Sequence, residues 1–372
     1  MSSPEEIFYR SADGITKIRA LKWAPDEGTK PVALLQIVHG MQEFIDRYDA
    51  FARFMASKGF IVFGNDILGH GGSIRNGDER YFGYFGRGVC PGDGTGGSAK
   101  PAGAAQDSGT KTGAGTKTGT GTESDAGVET NYAGTPYQDA RTGGHRILLS
   151  DIRALQDLMA DRYPDLPCFL LGHSMGSFLA REFLCVHGGS LRGAVISGTA
   201  YHPAAETVVG RSLAVILGQT RGWFYRSPLL NKLSVGNLNK EFEPARTPVD
   251  WLTRDEAIVD RYVADRRTQF KFTCNAYYAL FDCLHYLTVA DNLRHMPKNL
   301  PVMLIAGAQD PVGADGAGPT RVAAQLKGIG MKHVITKIYP QGRHEVLNEL
   351  NRAEVWDDVL SFLQAAMPGR EN

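Results

Sequence analysis

The sequence alternates short apolar segments with longer stretches of helical periodicity, and no other feature constrains its fold as strongly. Segments such as "PVALLQIVHG" (31–40) and "FIVFGND" (60–66) are typical of strands covered on both faces of a sheet. The stretch between them, "RYDAFARFMASKG" (47–59), places apolar residues at helical spacing and ends in glycine. Because a strand, a helix and a second strand form one parallel unit, this pattern predicts a mostly parallel sheet.

The same alternation continues further along the chain. It predicts helices over residues 145–164, 176–188, 319–328 and 353–367. It predicts strands over residues 167–173, 191–200, 301–309 and 333–340. Near the start, two predicted strands at about 6–12 and 15–23 are joined by the turn sequence Asp13-Gly14, which indicates an antiparallel hairpin at the sheet edge. The predicted fold class is therefore α/β, with helices on both faces of the sheet.

Two segments interrupt the alternation. Residues 87–140 contain a long run of glycine, threonine, serine, alanine and lysine, which cannot form a packed core, so we expect a disordered insertion there. Residues 203–297 carry many aromatic residues among helix-like stretches, and we expect them to form an inserted helical lid. The remaining residues, 1–86, 141–202 and 298–372, are predicted to form the core.

Composition argues against several other classes of protein. The chain has 40 basic and 40 acidic side chains and no cluster of lysine and arginine that could neutralise nucleic-acid phosphates. Its apolar segments fall far short of the roughly 20 residues that span a bilayer. The opening residues, "MSSPEEIFYRSADG", lack the basic start and apolar core of a secretory signal. Five cysteines without metal-ligand spacing fit buried thiols, so we expect a cytoplasmic location.

The sequence Gly172-His173-Ser174-Met175-Gly176 joins a predicted strand to a predicted helix. In that context the pattern Gly-x-Ser-x-Gly is typical of a nucleophile elbow, a sharp turn that raises a serine hydroxyl above the carboxyl end of a sheet. Glycine is favoured on both sides because the turn crowds the backbone. Ser174 is therefore the candidate nucleophile, and a plain Gly-Ser turn is the structural alternative.

A serine hydroxyl needs a neighbouring base, and the base needs an acid that orients it. His344 follows the last predicted strand in "IYPQGRHEVLNE", and Asp310 follows the preceding strand in "PVMLIAGAQDPVG". The chain order serine, aspartate, histidine is the one expected of the α/β-hydrolase fold. We therefore predict Asp310 as the acid and His344 as the base. Asp315, five residues further on among glycines, is a rival acid.

Acyl transfer also needs backbone amides that stabilise the negatively charged oxygen of the intermediate. One candidate is the amide of Met175, directly after the nucleophile, and the other is the amide of Met41 in the loop "HGMQEF". This chemistry requires neither a metal nor an organic cofactor. We expect packing or loop-supporting roles for the other polar residues near this edge, namely His39, His173, Asp66 and His70.

Four segments of the chain resemble the monoacylglycerol lipase and lysophospholipase branch of the α/β-hydrolase superfamily, which is also classified with the serine aminopeptidases. They are residues 39–73, 170–181, 304–313 and 342–349. The resemblance implies an α/β-hydrolase fold, a triad of Ser174, Asp310 and His344, and an oxyanion hole formed by the amides of Met41 and Met175. The chain has Glu43-Phe44 where the family commonly has a Glu-His pair.

Together, the motifs and the resemblance predict a serine hydrolase that cleaves carboxylic esters of apolar acyl chains through an acyl-enzyme on Ser174. The expected partner is a small ester or lipid, and no nucleic acid. An aminopeptidase, an acyltransferase and a non-catalytic protein that binds an apolar ligand remain alternatives. The sequence leaves open the head group, the acyl chain, membrane contact through the lid, the oligomeric state and any role of the Gly/Thr-rich insertion.

Overall fold

The computed structural model describes residues 3–86 and 144–367, so the insertion predicted at 87–140 lies outside the described residues. Within the described residues, eight strands form one sheet. They are β1 (Glu5–Arg10), β2 (Lys17–Trp23), β3 (Ala33–Val38), β4 (Phe60–Asn65), β5 (Cys168–His173), β6 (Gly193–Ser197), β7 (Val302–Gly307) and β8 (Val334–Tyr339).

The order of the strands across the sheet is β1-β2-β4-β3-β5-β6-β7-β8. Strand β2 pairs antiparallel with both β1 and β4, and every pair from β4 to β8 is parallel. Both the N-terminal hairpin and the mostly parallel sheet are thus confirmed. The carboxyl ends of the parallel strands lie along one edge, where open α/β sheets bind their ligands.

Ten α-helices accompany the sheet in the described part of the chain. They are α1 (Asp49–Ser57), α2 (Gly144–Arg162), α3 (Met175–His187), α4 (Ala204–Arg221), α5 (Pro228–Val235), α6 (Glu256–Ala264), α7 (Cys274–Tyr286), α8 (Ala290–Leu293), α9 (Ala317–Gly328) and α10 (Arg352–Ala365). Helices α4 to α8 fall within the segment predicted to be the lid. Helix α4 packs on α7, which in turn packs on α2 and α3 of the core. Across residues 3–86 and 144–367, no helix combines the length and apolar character needed to cross a membrane.

The central strands are buried on both faces, which explains why they appear in the sequence as continuous apolar runs. Alternate side chains of β5 point to opposite sides: Leu170 joins one apolar core, while Phe169 and Leu171 join the other. Helices α2, α3 and α9 cover the first core, and α1 and α10 cover the second. The sheet is therefore held between two helical layers, and its carboxyl edge presents the loops that follow β3, β5, β7 and β8.

Candidate active site

Ser174 occupies a sharp turn between β5 and α3, as the sequence predicts. Its backbone has a φ of 52° and a ψ of −121°, a region that residues with a side chain rarely occupy. A Cβ on Gly176 would collide with the carbonyl oxygen of Val38, and a Cβ on Gly172 would collide with the carbonyl oxygen of Gly176. Glycine at both positions therefore lets α3 approach β3 and β5 closely, and this packing holds Ser174 in its strained conformation.

Asp310 and His344 are in direct contact. The Nδ1 atom of His344 lies 2.9 Å from Oδ1 of Asp310, and both side chains are buried. Asp315 is exposed, and its amide donates a hydrogen bond to the carbonyl oxygen of Asp310. The structure thus brings Asp310, and not the rival Asp315, to the imidazole.

The electrostatic environment of His344 favours its protonated form. Burial lowers the pKa of the imidazole, but the charge of Asp310 and its hydrogen bond to the ring outweigh burial and raise the pKa above its ordinary value. Ser174 and His344 lie on the wall of the same cavity. Among the described residues, no hydrogen bond joins the Ser174 hydroxyl to the ring. Such contacts are often long without substrate and tighten when it binds.

The loop after β3 lies directly against Ser174. A Cβ built on Gly40 would be 2.9 Å from the Cβ of Ser174, so only glycine allows this approach. The next residue, Met41, lines the cavity together with Met175. In the described portions of the chain, neither Met41 nor Met175 donates its amide hydrogen to a protein acceptor. Two unpaired amides therefore lie beside the candidate nucleophile.

A buried ion-pair network connects this loop to the loop that carries His344. The Arg47 guanidinium lies 2.8 Å from the Glu43 carboxylate and 2.7 Å from the Glu345 carboxylate. Glu43 also accepts hydrogen bonds from the Gly40 amide and, at 3.0 Å, from the Tyr48 hydroxyl. Burial raises the pKa of Glu345, but the charge of Arg47 and its hydrogen bonds lower the pKa to about 2. Both loops are thus fixed to one guanidinium.

Sequence reasoning missed this network. Glu43 stood out only as part of a departure from the family pattern, and nothing along the chain pairs Arg47 with Glu345, which is 298 residues away. The one available signal was local, since Glu43 and Arg47 are four residues apart where a helix-like stretch begins at residue 47.

The remaining polar residues near this edge are buried and contact loop backbone or neighbouring rings. His39 accepts the amide hydrogen of Ile67 at 2.8 Å, and burial lowers its pKa to about 4. His173 is buried with its ring centre 4.8 Å from that of His344, and burial lowers its pKa to about 4 as well. Asp66 accepts the backbone amide hydrogens of Ile45 and of Gly72, the second in its own loop. His70 is fully buried against aromatic rings.

A cavity of about 650 Å³ opens at Ser174 and is mostly apolar, a size typical of small-molecule sites. Its apolar wall includes Phe178, Leu213, Leu233, Trp251, Phe281 and Val312. Among the aromatic residues of the predicted lid, Trp251 and Phe281 line the cavity, whereas Tyr277 is fully buried in the core. The cavity could hold an extended apolar group with one end at Ser174.

A mostly parallel eight-stranded sheet of this topology, with a serine in a strained turn after its fifth strand, is the architecture of the α/β-hydrolases. The family model described as serine aminopeptidase, S33, matches residues 29–87 and 136–351 of the chain. The chain therefore belongs to the serine aminopeptidase S33 family, and it is an enzyme of the serine hydrolase class.

Two named relatives agree with this assignment, and two solved structures share the fold. The chain is 28% identical to a monoacylglycerol lipase of Mycolicibacterium smegmatis over 60% of this chain and 74% of the relative. It is 23% identical to human monoglyceride lipase over 94% of this chain and 92% of the relative. Among solved structures, a thermostable carboxyl esterase from Bacillus coagulans matches with a TM-score of 0.77 at 24% identity, covering 99% of this chain and all (100%) of that one. A soluble variant of monoglyceride lipase from Saccharomyces cerevisiae matches with a TM-score of 0.63 at 16% identity, covering 99% of this chain and 97% of that one.

Proposed function

We propose that the protein cleaves carboxylic esters of apolar acyl chains, as a monoacylglycerol lipase or lysophospholipase does. The observation that carries this proposal is the mostly apolar cavity of about 650 Å³ that ends at Ser174 and His344. An acyl chain would fill the apolar part, and the ester carbonyl would lie at the serine. The relatives named as a monoacylglycerol lipase and a monoglyceride lipase support the same choice of substrate.

In this proposal, Ser174 Oγ attacks the ester carbonyl while His344 Nε2 accepts the hydroxyl proton. Asp310, at 2.9 Å from Nδ1, keeps the ring in the tautomer that leaves Nε2 free to accept. The amides of Met41 and Met175 donate to the oxygen that becomes negative. His344 then returns the proton to the leaving alcohol, and a water molecule activated by the same ring releases the acid from the acyl-enzyme.

The test compares the wild type with Ser174→Ala on p-nitrophenyl butyrate and on a monoacylglycerol. We expect kcat/KM to fall by about 10⁴-fold or more, because the remaining site keeps only binding and oxyanion stabilisation. A matched control, Ser190→Ala, removes the hydroxyl of an exposed serine and should leave the rate unchanged. Full esterase activity in Ser174→Ala would refute the proposal.

The family description favours one second candidate, an aminopeptidase that uses the same three residues. An aminopeptidase must bind the positively charged amino group of its substrate. In the part of the chain that the structure describes, three carboxylates line the cavity. Glu43 and Glu345 are already paired with Arg47, which leaves Glu206. We therefore expect ester hydrolysis to exceed aminoacyl-arylamide hydrolysis in parallel assays of a monoacylglycerol, a lysophospholipid and an arylamide.

The same panel addresses the remaining alternatives. A non-catalytic binding protein would not be labelled at Ser174 by a fluorophosphonate probe, whereas the proposed esterase is labelled and loses labelling in Ser174→Ala. An acyltransferase would give more transfer than hydrolysis when a second alcohol is supplied. The labelling experiment tests whether Ser174 is a reactive nucleophile, and the transfer experiment tests whether water or an alcohol accepts the acyl group.

A further inference from the structure

A second, smaller cavity lies beside the apolar one and has a mostly polar surface. Its volume is about 130 Å³, and Arg181 of α3 and Gln325 of α9 are on its wall. Two of its residues, His202 and Leu284, also line the larger cavity, so the two spaces share a wall. The proposed esterase mechanism uses no residue of this polar cavity.

Arg181 is buried, with 3% of its surface exposed, and its charge has no counter-ion among residues 3–86 and 144–367. Its Nη1 donates to the carbonyl oxygen of Ala200 at 3.1 Å, and its Nη2 donates to the side-chain oxygen of Gln325 at 3.3 Å. Both acceptors are neutral. The Nε–H group has no hydrogen-bond partner within the part of the chain that the structure describes. Burial lowers the pKa of Arg181 to about 10, so the guanidinium remains charged at neutral pH.

The acidic residues nearest to Arg181 along the chain and around the cavity interact with other groups. Glu182, the next residue of α3, lies 3.1 Å from Nε2 of the buried His145. Glu206 lies 3.5 Å from Nδ1 of His202 and lines the larger cavity. Among the described residues, no aspartate or glutamate lines the polar cavity. A buried charge is costly unless an opposite charge accompanies it. Within the described part of the chain, the site therefore lacks the negative charge that would balance Arg181.

We propose that the polar cavity is a binding site for a small oxyanion, a sulfate, phosphate or carboxylate group, with the Arg181 guanidinium as its counter-charge. The planar donors of a guanidinium match the oxygens of such anions. The cavity volume equals that of about four water molecules at liquid density, which suits an anion of this size. Tyr201 and His202, on the same wall, carry further hydrogen-bonding groups. This inference goes beyond the proposed esterase function and does not depend on it.

The experiment follows thermal unfolding of the full chain in sodium sulfate, phosphate and acetate, each against sodium chloride of equal ionic strength. We expect at least one oxyanion to raise the wild-type Tm by about 2 °C or more in a saturable manner. Arg181→Met removes the charge with little change in length and should retain only the linear salt effect that any protein shows. Arg192→Met, which removes an exposed arginine, should keep the saturable rise.

Gln325→Glu provides a second test that does not remove the arginine. It places a carboxylate where Arg181 Nη2 now meets a neutral oxygen, so we expect a higher Tm without anions and no saturable response. A response to acetate alone would identify a carboxylate site, and a response to sulfate or phosphate would identify a tetrahedral-anion site. The proposal is wrong if the wild type shows no saturable response. It is equally wrong if Arg181→Met responds as the wild type does or, where that variant does not fold, if Gln325→Glu does.

Discussion

Ser174 has a strained backbone and is also the proposed nucleophile. The strain can be measured through protein stability, independently of activity. At a φ of 52° and a ψ of −121°, a residue with a Cβ is destabilised, whereas glycine occupies positive φ readily. We predict that Ser174→Gly abolishes esterase activity. We also predict that its free energy of unfolding is about 1 kcal/mol higher than that of Ser174→Ala, which retains the Cβ. Urea denaturation of the two variants checks this difference. Equal unfolding free energies would show that the turn is not strained.

His344 gives the proposed activity a pH dependence whose direction follows from its surroundings. The raised pKa means that the folded protein holds the proton more tightly, so His344 stabilises the fold below its ordinary pKa of 6.5 and this contribution disappears as the pH rises through the folded pKa. The catalytic base must be neutral, so kcat/KM should fall as the pH drops through that same folded pKa.

Asp310→Asn tests this assignment. Without the negative charge, the pKa of His344 should fall, so the acid limb of the kcat/KM profile should move to lower pH. The plateau should drop by about 10⁴-fold, because the ring loses the partner that fixes its tautomer. Asp315→Asn is the matched control and should change neither the limb nor the plateau. If the limb stays in place in Asp310→Asn, another group sets the pKa of the base.

At this scale, the sequence located Ser174, Asp310 and His344 because each follows a recognisable strand and the chain order matches a known fold. Their catalytic roles stay predictions that these variants test. Nothing in the sequence singled out Arg181, because the absence of an acidic partner among the described residues depends on which side chains the folded chain places around it.

At the scale of helices and strands, hydrophobic periodicity predicted the sheet and the helices around it. A strand such as β5 is recognisable because both of its faces are buried, and α1 is recognisable because its buried residues recur at helical spacing. Periodicity does not predict which loops contact each other. Arg47 joins the loop after β3 to the loop after β8, and this contact exists only once the sheet brings β3 and β8 to the same edge.

This loop contact leads to a prediction about the oxyanion hole. Glu43 accepts the Gly40 amide hydrogen and pairs with Arg47, so it positions the neighbouring amide of Met41. We predict that Glu43→Gln lowers kcat by about 10- to 100-fold with little change in KM, because a misplaced oxyanion donor acts mainly on the transition state. Steady-state kinetics on a soluble ester provide the measurement.

The control for Glu43→Gln is another buried carboxylate. Asp151 is buried in α2 and accepts hydrogen bonds from the Ser11 hydroxyl at 2.8 Å and the Ala12 amide at 2.6 Å, away from the cavity. We expect Asp151→Asn to lower the free energy of unfolding while kcat stays close to that of the wild type. If both variants lose kcat equally, general loosening of the fold, and not the position of Met41, explains the effect.

At the scale of the whole molecule, the family match covers residues 29–87 and 136–351 and passes over the residues between. The two ends that the structure describes meet in space. A Cβ on Gly144, at the start of α2, would lie 3.4 Å from the Cβ of Phe85. A chain that leaves the core at Phe85 and returns at Gly144 therefore needs only a short connection. The insertion that composition predicts at 87–140, and the division of the other residues into core and lid, both remain predictions.

Deleting residues 91–130 should therefore leave both the fold and the proposed esterase activity intact. The deletion cuts the connection between Gly86 and Gly144 to about a third of its length. If the predicted flexible insertion is correct, the shorter connection has a lower entropy cost of closure, and we expect it to stabilise the protein by about 1 kcal/mol. On the same prediction, a control in which the same 40 positions carry a Gly/Ser sequence should have the wild-type free energy of unfolding, because the length of the connection is unchanged. Urea denaturation and ester hydrolysis of the three proteins check both statements. If the deletion and the Gly/Ser replacement both lose stability or activity, side chains within 91–130 contribute to the folded enzyme.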